Sequence, residues 1–263
     1  MTLSFYKYQG TGNDFIILDG RKKMLNLSNL AIKKLCDRKF GIGADGFMIL
    51  RNESGFDFSM TYYNADGFEG SMCGNGGRCI LAFANRIGIK KKHLYFLAVD
   101  GPHDGEIIVQ NDEATQVRLK MSNVSDYKKD SNVFLLETGS PHYVNFTNQL
   151  DKKNVYAEGK EIRNSKTYAD KGINVNFVEE TDDHLFVRTY ERGVENETLS
   201  CGTGVTAATL ASALKNNVSE GNTQIQTLGG NLRVSFKKAG NVFTEVWLEG
   251  PATFVFKGEI NIQ

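Results

Sequence analysis

The chain's 263 residues predict an α+β fold, mixed α/β in composition, built as two pseudo-symmetric domains. Three observations carry this. Short β-branched or aromatic runs outnumber helical stretches. Segments of the first half recur in order in the second. Each half also places one cysteine at a glycine-rich entry to a helical run, in "SMCGNGGRC" (71–79) and "LSCGTGVTAA" (199–208). With 40% apolar residues the chain can bury a sizeable core. Its length fits one large domain or two of about 130 residues.

In chain order, "LSFYKY", "DFIILD", "FDFSMTYY", "HLYFLAV", "EIIVQ", "TQVRLKM", "NVFLLE", "HLFVRTY" and "EVWLEG" read as strands bounded by Gly, Asn or Asp. Three helices are predicted. The first is "SNLAIKKLCDRK" (28–39), opened by Ser28 and closed before Gly41. The second is "GGRCILAFANRIG" (76–88), with Ile80, Leu81, Ala84 and Ile87 as its apolar stripe and Gly88 as its stop. The third is "GVTAATLASALKNN" (204–217), rich enough in Ala and Leu to lie deep in a core.

The duplication rests on a gapless match of "TYYNADGFEGSMCGNG" (61–76) to "TYERGVENETLSCGTG" (189–204), which lays Cys73 on Cys201 and Asn64 on Arg192. "GTGNDFIIL" (10–18) aligns with "ETGSPHYVNF" (137–146), and "GIGADGFMIL" (41–50) more loosely with "GINVNFVEE" (172–180). A repeat this long points to two related domains rather than a solenoid. The expected domains are 1–116 and 117–263, with the last strand free to return to the first.

Net charge is zero, with 31 basic and 31 acidic residues, which argues against a nucleic-acid binder. No apolar run approaches membrane-spanning length. The N-terminal "MTLSFYKYQG" lacks the pattern of a signal peptide, so a cytoplasmic location is expected. There the four cysteines, Cys36, Cys73, Cys79 and Cys201, stay reduced. Their spacing offers no zinc pattern, so no metal is expected. Cys36 and Cys79 lie within predicted helices and read as packing residues.

A helix entry carries orphan N–H groups and the positive end of the helix dipole, and glycines let a ligand approach them. Such an entry binds anions and also favours a thiolate. Neither loop has the Gly-Lys-Ser/Thr of a P-loop or the final glycine of a dinucleotide fingerprint. A carboxylate is therefore the better anion. A cysteine nucleophile would want a base, and His142 in "GSPHYV" is the one histidine in a motif-like setting. Two equivalent thiols suit a different chemistry, in which one removes a proton from a carbon and the other returns one to the opposite face.

The ordered set "GTGNDFIILD", "GIGADGFMIL", "NADGFEGSMCGNGGRC", "GSPHYV", "GINVNFV" and "ERGVENETLSCGTGVTAA" resembles the diaminopimelate epimerase family along essentially the whole chain. The resemblance implies a mixed or antiparallel sheet wrapped around a central helix in each domain, with the site between them. It also implies conversion of LL- to meso-diaminopimelate in lysine and peptidoglycan precursor synthesis, with neither cofactor nor metal. Carried over by motif, Cys73 and Cys201 are the acid/base pair. The backbones of Gly74, Asn75, Gly202 and Thr203 hold the reacting carboxylate. Asn13, Asn64 and Asn174 line the site, while Glu191 and Arg192 grip the distal ammonium and carboxylate. His142 and Ser140 are orienting candidates. Ser140 departs from the family's usual Asn-Pro-His, and a hydroxyl cannot offer acceptor and donor as an amide does.

The partner is then a small amino acid, with no nucleic acid and no membrane. Monomer and homodimer both stay open. Two rivals also remain: a cofactor-independent racemase acting on proline or hydroxyproline, and a non-catalytic amino-acid binder or thiol redox sensor.

Overall fold

The computed structural model describes residues 2–22, 25–110 and 114–262. The chain separates into two units, Met1–Leu119 with Gly250–Gln263, and Lys120–Glu249. The elements of the first half are β1 (Thr2–Gly10), β2 (Asn13–Asp19), α1 (Asn29–Cys36), β3 (Gly46–Arg51), β4 (Phe58–Asn64), α2 (Gly74–Arg86), β5 (His93–Ala98), β6 (Gly101–Gln110) and β7 (Ala114–Lys120). The second half holds β8 (Tyr127–Asp130), β9 (Val133–Glu137), β10 (Pro141–Phe146), α3 (Val155–Arg163), β11 (Asn174–Glu180), β12 (Leu185–Glu191), β13 (Asn196–Thr198), α4 (Gly202–Asn216), β14 (Glu220–Thr227), β15 (Gly230–Ala239) and the long β16 (Val242–Asn261). A boundary at 116/117 would fall inside β7; the division lies slightly later, and residues 250–263 belong to the first unit.

Both units follow one plan. In the first, strands β1 to β7 are neighbours in chain order. The pairs β2/β3 and β4/β5, each joined through a helix, are parallel and the rest antiparallel. In the second, the order is β8-β9-β10-β11-β12-β14-β15-β16, again with two parallel pairs, β10/β11 and β12/β14. Parallel neighbours need a crossover, and α1, α2, α3 and α4 supply one each.

Both sheets close. In the first unit the far end of β16 pairs with β7 through Gly250–Thr253 and with β1 through Thr253–Asn261. In the second, Met121 donates to the Val246 carbonyl, Val124 bridges Phe243, and the chain then runs into β8 beside β9.

The enclosed helices are α2 and α4. Every residue of α2 from Gly74 to Asn85 is buried, as are Gly202 and Gly204–Ala211 of α4. A helix wrapped by its own sheet has no solvent face, so its sequence need not be amphipathic. The outer helices bury one face only: Ile32, Leu35 and Cys36 of α1, Val155 and Gly159 of α3. Period-two alternation then sorts the strands. Val175 and Phe177 of β11 join the cluster under α3, while Val178 and Val144 join the core around α4.

Three differences from the sequence reading have physical causes. Helices α2 and α4 begin at Gly74 and Gly202, with Cys73 and Cys201 as N-caps, because the glycines hide the first turn from a propensity argument. Helix α3 was not among the three expected, since "VYAEGKEIR" is largely polar and buries little. Strands β3, β8, β10, β11, β13, β14 and β15 lie outside the predicted runs. Strand β14, for instance, fully buries only Ile225 and Thr227.

Helix α3 also yields a prediction. A Cβ on Gly159 would overlap the Tyr190 side chain. Alanine normally gains about 1 kcal/mol over glycine inside a helix, but overpacking costs about 1–3 kcal/mol. Gly159→Ala should therefore lower the midpoint of chemical unfolding; a raised midpoint would refute the contact.

Candidate active site

In the first unit, Cys73 caps α2. Its half-buried Sγ accepts from the Gly76 N–H at 3.2 Å. Asn13, at the start of β2, presents Oδ1 4.0 Å from Cys73 Sγ and 3.4 Å from Asn75 Nδ2. The Asn13 amide is held in turn by donation to Asp45 Oδ2 at 2.8 Å. Asp45 and Asp14 share Arg38, and Asp14 also pairs with Lys7 at 2.7 Å. Against a burial that would raise it, Arg38 and Lys7 hold the Asp14 carboxyl down to about 2. The amide beside Cys73 is thus tied to a cluster of ion pairs.

Behind these groups lies Arg78, fully buried on α2. Its guanidinium donates to Asn75 Oδ1 at 2.9 Å, Thr11 Oγ1 at 3.2 Å, the Gly74 carbonyl at 3.3 Å and the Pro251 carbonyl at 3.4 Å. All four acceptors are neutral, and burial pushes the Arg78 pKa down. A buried cation without a carboxylate is rare because the desolvation cost is uncompensated. Here it clamps the first turn of α2 to the β1–β2 turn. Sequence reasoning missed Arg78 and Thr11. The sequence carried no clear signal, since α2 also holds Asn75, Asn85 and Arg86 and one more polar residue does not stand out.

In the second unit, Cys201 caps α4, with Sγ 3.5 Å from Thr203 Oγ1. The Thr203 carbonyl accepts from Thr138 Oγ1 at 2.9 Å. Beside this turn is a buried polar network. His142 is fully buried, with Nδ1 3.0 Å from Asn176 Nδ2 and Nε2 3.1 Å from Ser140 Oγ. Asn176 Oδ1 accepts from Thr189 Oγ1 at 2.9 Å. Asn174 donates to Ser140 Oγ at 2.9 Å and accepts the Arg192 backbone N–H at 2.9 Å. Burial, with a smaller push from Arg192, outweighs the Asn176 hydrogen bond and lowers the His142 pKa to about 3, so the imidazole is neutral. A Cβ on Gly204 would lie 3.3 Å from Cys201 Sγ and overlap Asn176 Oδ1, which ties the thiol's corner to this network. Asn176 and Thr189 were not among the sequence candidates.

The structure therefore groups Cys73, Gly74, Asn75 and Asn13 in one unit. In the other it groups Ser140, His142, Asn174 and Arg192, next to Cys201, Gly202 and Thr203. Glu191 ends β12, its Oε2 accepting from Thr198 Oγ1 at 3.0 Å. Arg192 also donates to the Lys171 carbonyl at 3.1 Å. Asn64 ends β4 in an exposed turn, its side chain against Gly70. Cys36 and Cys79 take no part. Burial pushes the Cys36 thiol up to about 12 and Cys79 higher still. Among the described residues no helix could cross a membrane, and no three His, Cys, Asp or Glu side chains form a metal group.

Two outcomes follow. Brief iodoacetamide treatment of the native protein near neutral pH should label Cys73 and spare Cys36 and Cys79, which react only in denaturant; mass spectrometry reads this directly. The second concerns His142, whose folded value of about 3 lies below its ordinary 6.5. Its stabilising effect is complete above pH 6.5 and is lost as pH falls toward 3, because only the unfolded chain takes up the proton there. The slope is at most about 1.4 kcal/mol per pH unit. His142→Gln should flatten the stability profile between about pH 6.5 and 4.5, above most carboxylate titrations. An unchanged slope would contradict the buried neutral state.

Known proteins agree with this architecture. A family model described as diaminopimelate epimerase matches residues 5–125 and 134–255. Diaminopimelate epimerase of Flavobacterium psychrophilum is 47% identical over 260 residues, 98% of this chain and 100% of that protein. Its counterpart from Chlorobaculum tepidum is 42% identical over 260 residues, 96% of this chain and 99% of that protein. In fold, the chain resembles a Bacillus anthracis phenazine biosynthesis protein of the PhzF family, with a TM-score of 0.77, 16% identity and full coverage of both chains. It also resembles a hydroxyproline epimerase from Agrobacterium vitis, with a TM-score of 0.71, 14% identity, and 98% and 92% coverage. The two-unit mixed α/β fold and the near-complete family match place the chain in the diaminopimelate epimerase family.

Proposed function

We propose that the chain interconverts LL- and meso-diaminopimelate, with Cys73 and Cys201 as the acid/base pair. One observation carries the reading: two copies of one folding unit each place a cysteine as the N-cap of a buried, glycine-started helix. One thiolate takes the α-proton, leaving the electron pair on the α-carbon and its carboxylate. The other thiol delivers a proton to the opposite face and becomes the thiolate. The N–H groups of the first helical turns, at Gly74, Asn75, Gly202 and Thr203, favour the negative charge that builds on that carboxylate. Glu191 and Arg192 suit the distal ammonium and carboxylate, the guanidinium being a two-pronged carboxylate partner. Asn13, Asn64 and Asn174 line the amino acid. The 47% identity to a named diaminopimelate epimerase supports this substrate over proline-type amino acids.

Incubation with LL-diaminopimelate in D2O should place deuterium at one α-carbon as the meso isomer appears. Cys73→Ala and Cys201→Ala should each lower epimerisation by at least the 10²–10⁴-fold typical of a lost acid or base. A single variant that keeps near-normal epimerisation would defeat the two-thiol reading. Binding without exchange would favour a non-catalytic binder.

A further inference from the structure

We propose that Thr11 and Arg78 are positioning residues for Cys73: the buried guanidinium pins the β1–β2 turn through the Thr11 hydroxyl and the first turn of α2 through Asn75 and Gly74, so that the Asn13 amide and the Cys73 sulfur stay in register. Their effect on turnover rests on the epimerase reading; the clamp itself does not.

The turn is built against its own backbone preference. Gly10 and Asn13 pair where β1 meets β2, which leaves Thr11 and Gly12 as a two-residue loop. Their φ angles are +50° and +89°. Two positive φ values in such a loop are the type I′ pattern, which favours Asn-Gly. A β-branched side chain is an outlier there. Such an outlier persists only where its surroundings over-determine it. What threonine adds over glycine is a buried hydroxyl, and Thr11 Oγ1 accepts from Arg78 Nη2 at 3.2 Å. The turn also sits directly on α2. A Cβ on Gly10 would lie 3.3 Å from both Arg78 Nη2 and the Asn75 carbonyl oxygen.

Arg78 reaches Asn13 by a second route. The same Nη2 donates to Asn75 Oδ1 at 2.9 Å. A guanidinium only donates, so this fixes which way the Asn75 amide faces. Asn75 Nδ2 is then the group 3.4 Å from Asn13 Oδ1. Asn13 is oriented from its other end, where Nδ2 donates to the Asp45 carboxylate at 2.8 Å. Arg78, Asn75, Asn13 and Thr11 thus form a closed ring, with the main chain from Thr11 to Asn13 as its last side. Cys73 Sγ lies 4.0 Å from the Asn13 oxygen of that ring.

Arg78 Nη1 also donates to the Gly74 carbonyl at 3.3 Å. That carbonyl shares a peptide group with the Asn75 N–H. Donation to the one polarises the other, where negative charge builds on the reacting carboxylate. A lysine could carry the charge but not the fork that spans both turns. A clamp of this kind acts on alignment in the transition state, so its loss falls on kcat rather than on KM.

The test compares Thr11→Val with Thr11→Ser. Valine keeps the shape and the backbone strain and removes the acceptor; serine keeps the acceptor. In Thr11→Val, kcat for diaminopimelate should fall about tenfold to a hundredfold, the range of a hydrogen bond to a charged group, while KM stays within a few-fold of wild type. Thr11→Ser should keep kcat within a few-fold. Thermal unfolding of both variants separates these effects from misfolding. Equal kcat in the two variants, or a loss confined to KM, would overturn the proposal.

A second measurement needs no substrate. In ¹⁵N-arginine-labelled protein, a guanidinium held in this way should show resolved Nη–H signals that exchange slowly with water. Thr11→Val should move them, and Thr11→Ser should leave them nearly in place. If no slowly exchanging guanidinium responds to Thr11→Val, the clamp is wrong. Absence of α-proton exchange in the wild type would instead overturn the epimerase reading, while the guanidinium signals would still judge the clamp.

Discussion

The constraint on which the rest depends is the enclosure of a helix start. Each sheet closes around a helix whose first residue is glycine and whose N-cap is a cysteine. Burying a helix N-terminus strands its N–H groups away from water, and they must be satisfied by something. At α2 the cysteine sulfur takes one of them, from Gly76. Space is equally constrained. A Cβ on Gly76 would lie 3.2 Å from Cys73 Sγ, and one on Gly204 would lie 3.3 Å from Cys201 Sγ. The glycines do not serve flexibility here; they leave room for sulfur against backbone.

Duplication gave the two thiols the same scaffold and different walls. Strand register makes Phe15 and Met48 of the first unit the counterparts of His142 and Asn176 of the second. Around Gly76 the neighbours are accordingly the Met48 sulfur and the Phe15 ring; around Gly204 the neighbour is the Asn176 amide. The gapless alignment also sets Arg78 opposite Thr206, whose hydroxyl merely returns to the Gly202 carbonyl. One thiol thus sits by an apolar wall and in front of a buried cation. The other sits by a neutral hydrogen-bonded network. An enzyme that meets two substrates differing in configuration at one carbon has no reason to keep its halves identical, and these halves differ in the groups that govern protonation.

Much of this was legible in the sequence, for identifiable reasons. The cysteine loops stood out because glycine is costly in a helix and Cys-Gly-x-Gly recurs at the same offset as the rest of the repeat. The alternating apolar runs gave many of the strands. What stayed hidden was whatever depends on a partner far along the chain. Helix α3 is held by Gly159 against Tyr190, and neither residue marks a helix. Arg78 looks like any surface arginine until a closing sheet removes its solvent. Asn176 sits two residues past Asn174 in "INVNF", and only the strand's period of two puts both amides on the face toward α4.

That period is also what lets a neutral network carry direction. His142 and Asn174 are paired across β10 and β11, with Asn176 one step further along the same face. Side chains on a parallel pair point together, so three polar groups stack within reach without any charge among them. A buried carboxylate could have held His142 as well, but it would have accepted the Nδ1 proton and left Nε2 bare. The amide does the reverse, because its oxygen is already committed to Thr189 and only N–H is left to offer. The choice of asparagine over aspartate at position 176 therefore governs its own contact with His142 Nδ1, while the Asn174 amide is oriented separately by the Arg192 N–H and the Pro141 carbonyl.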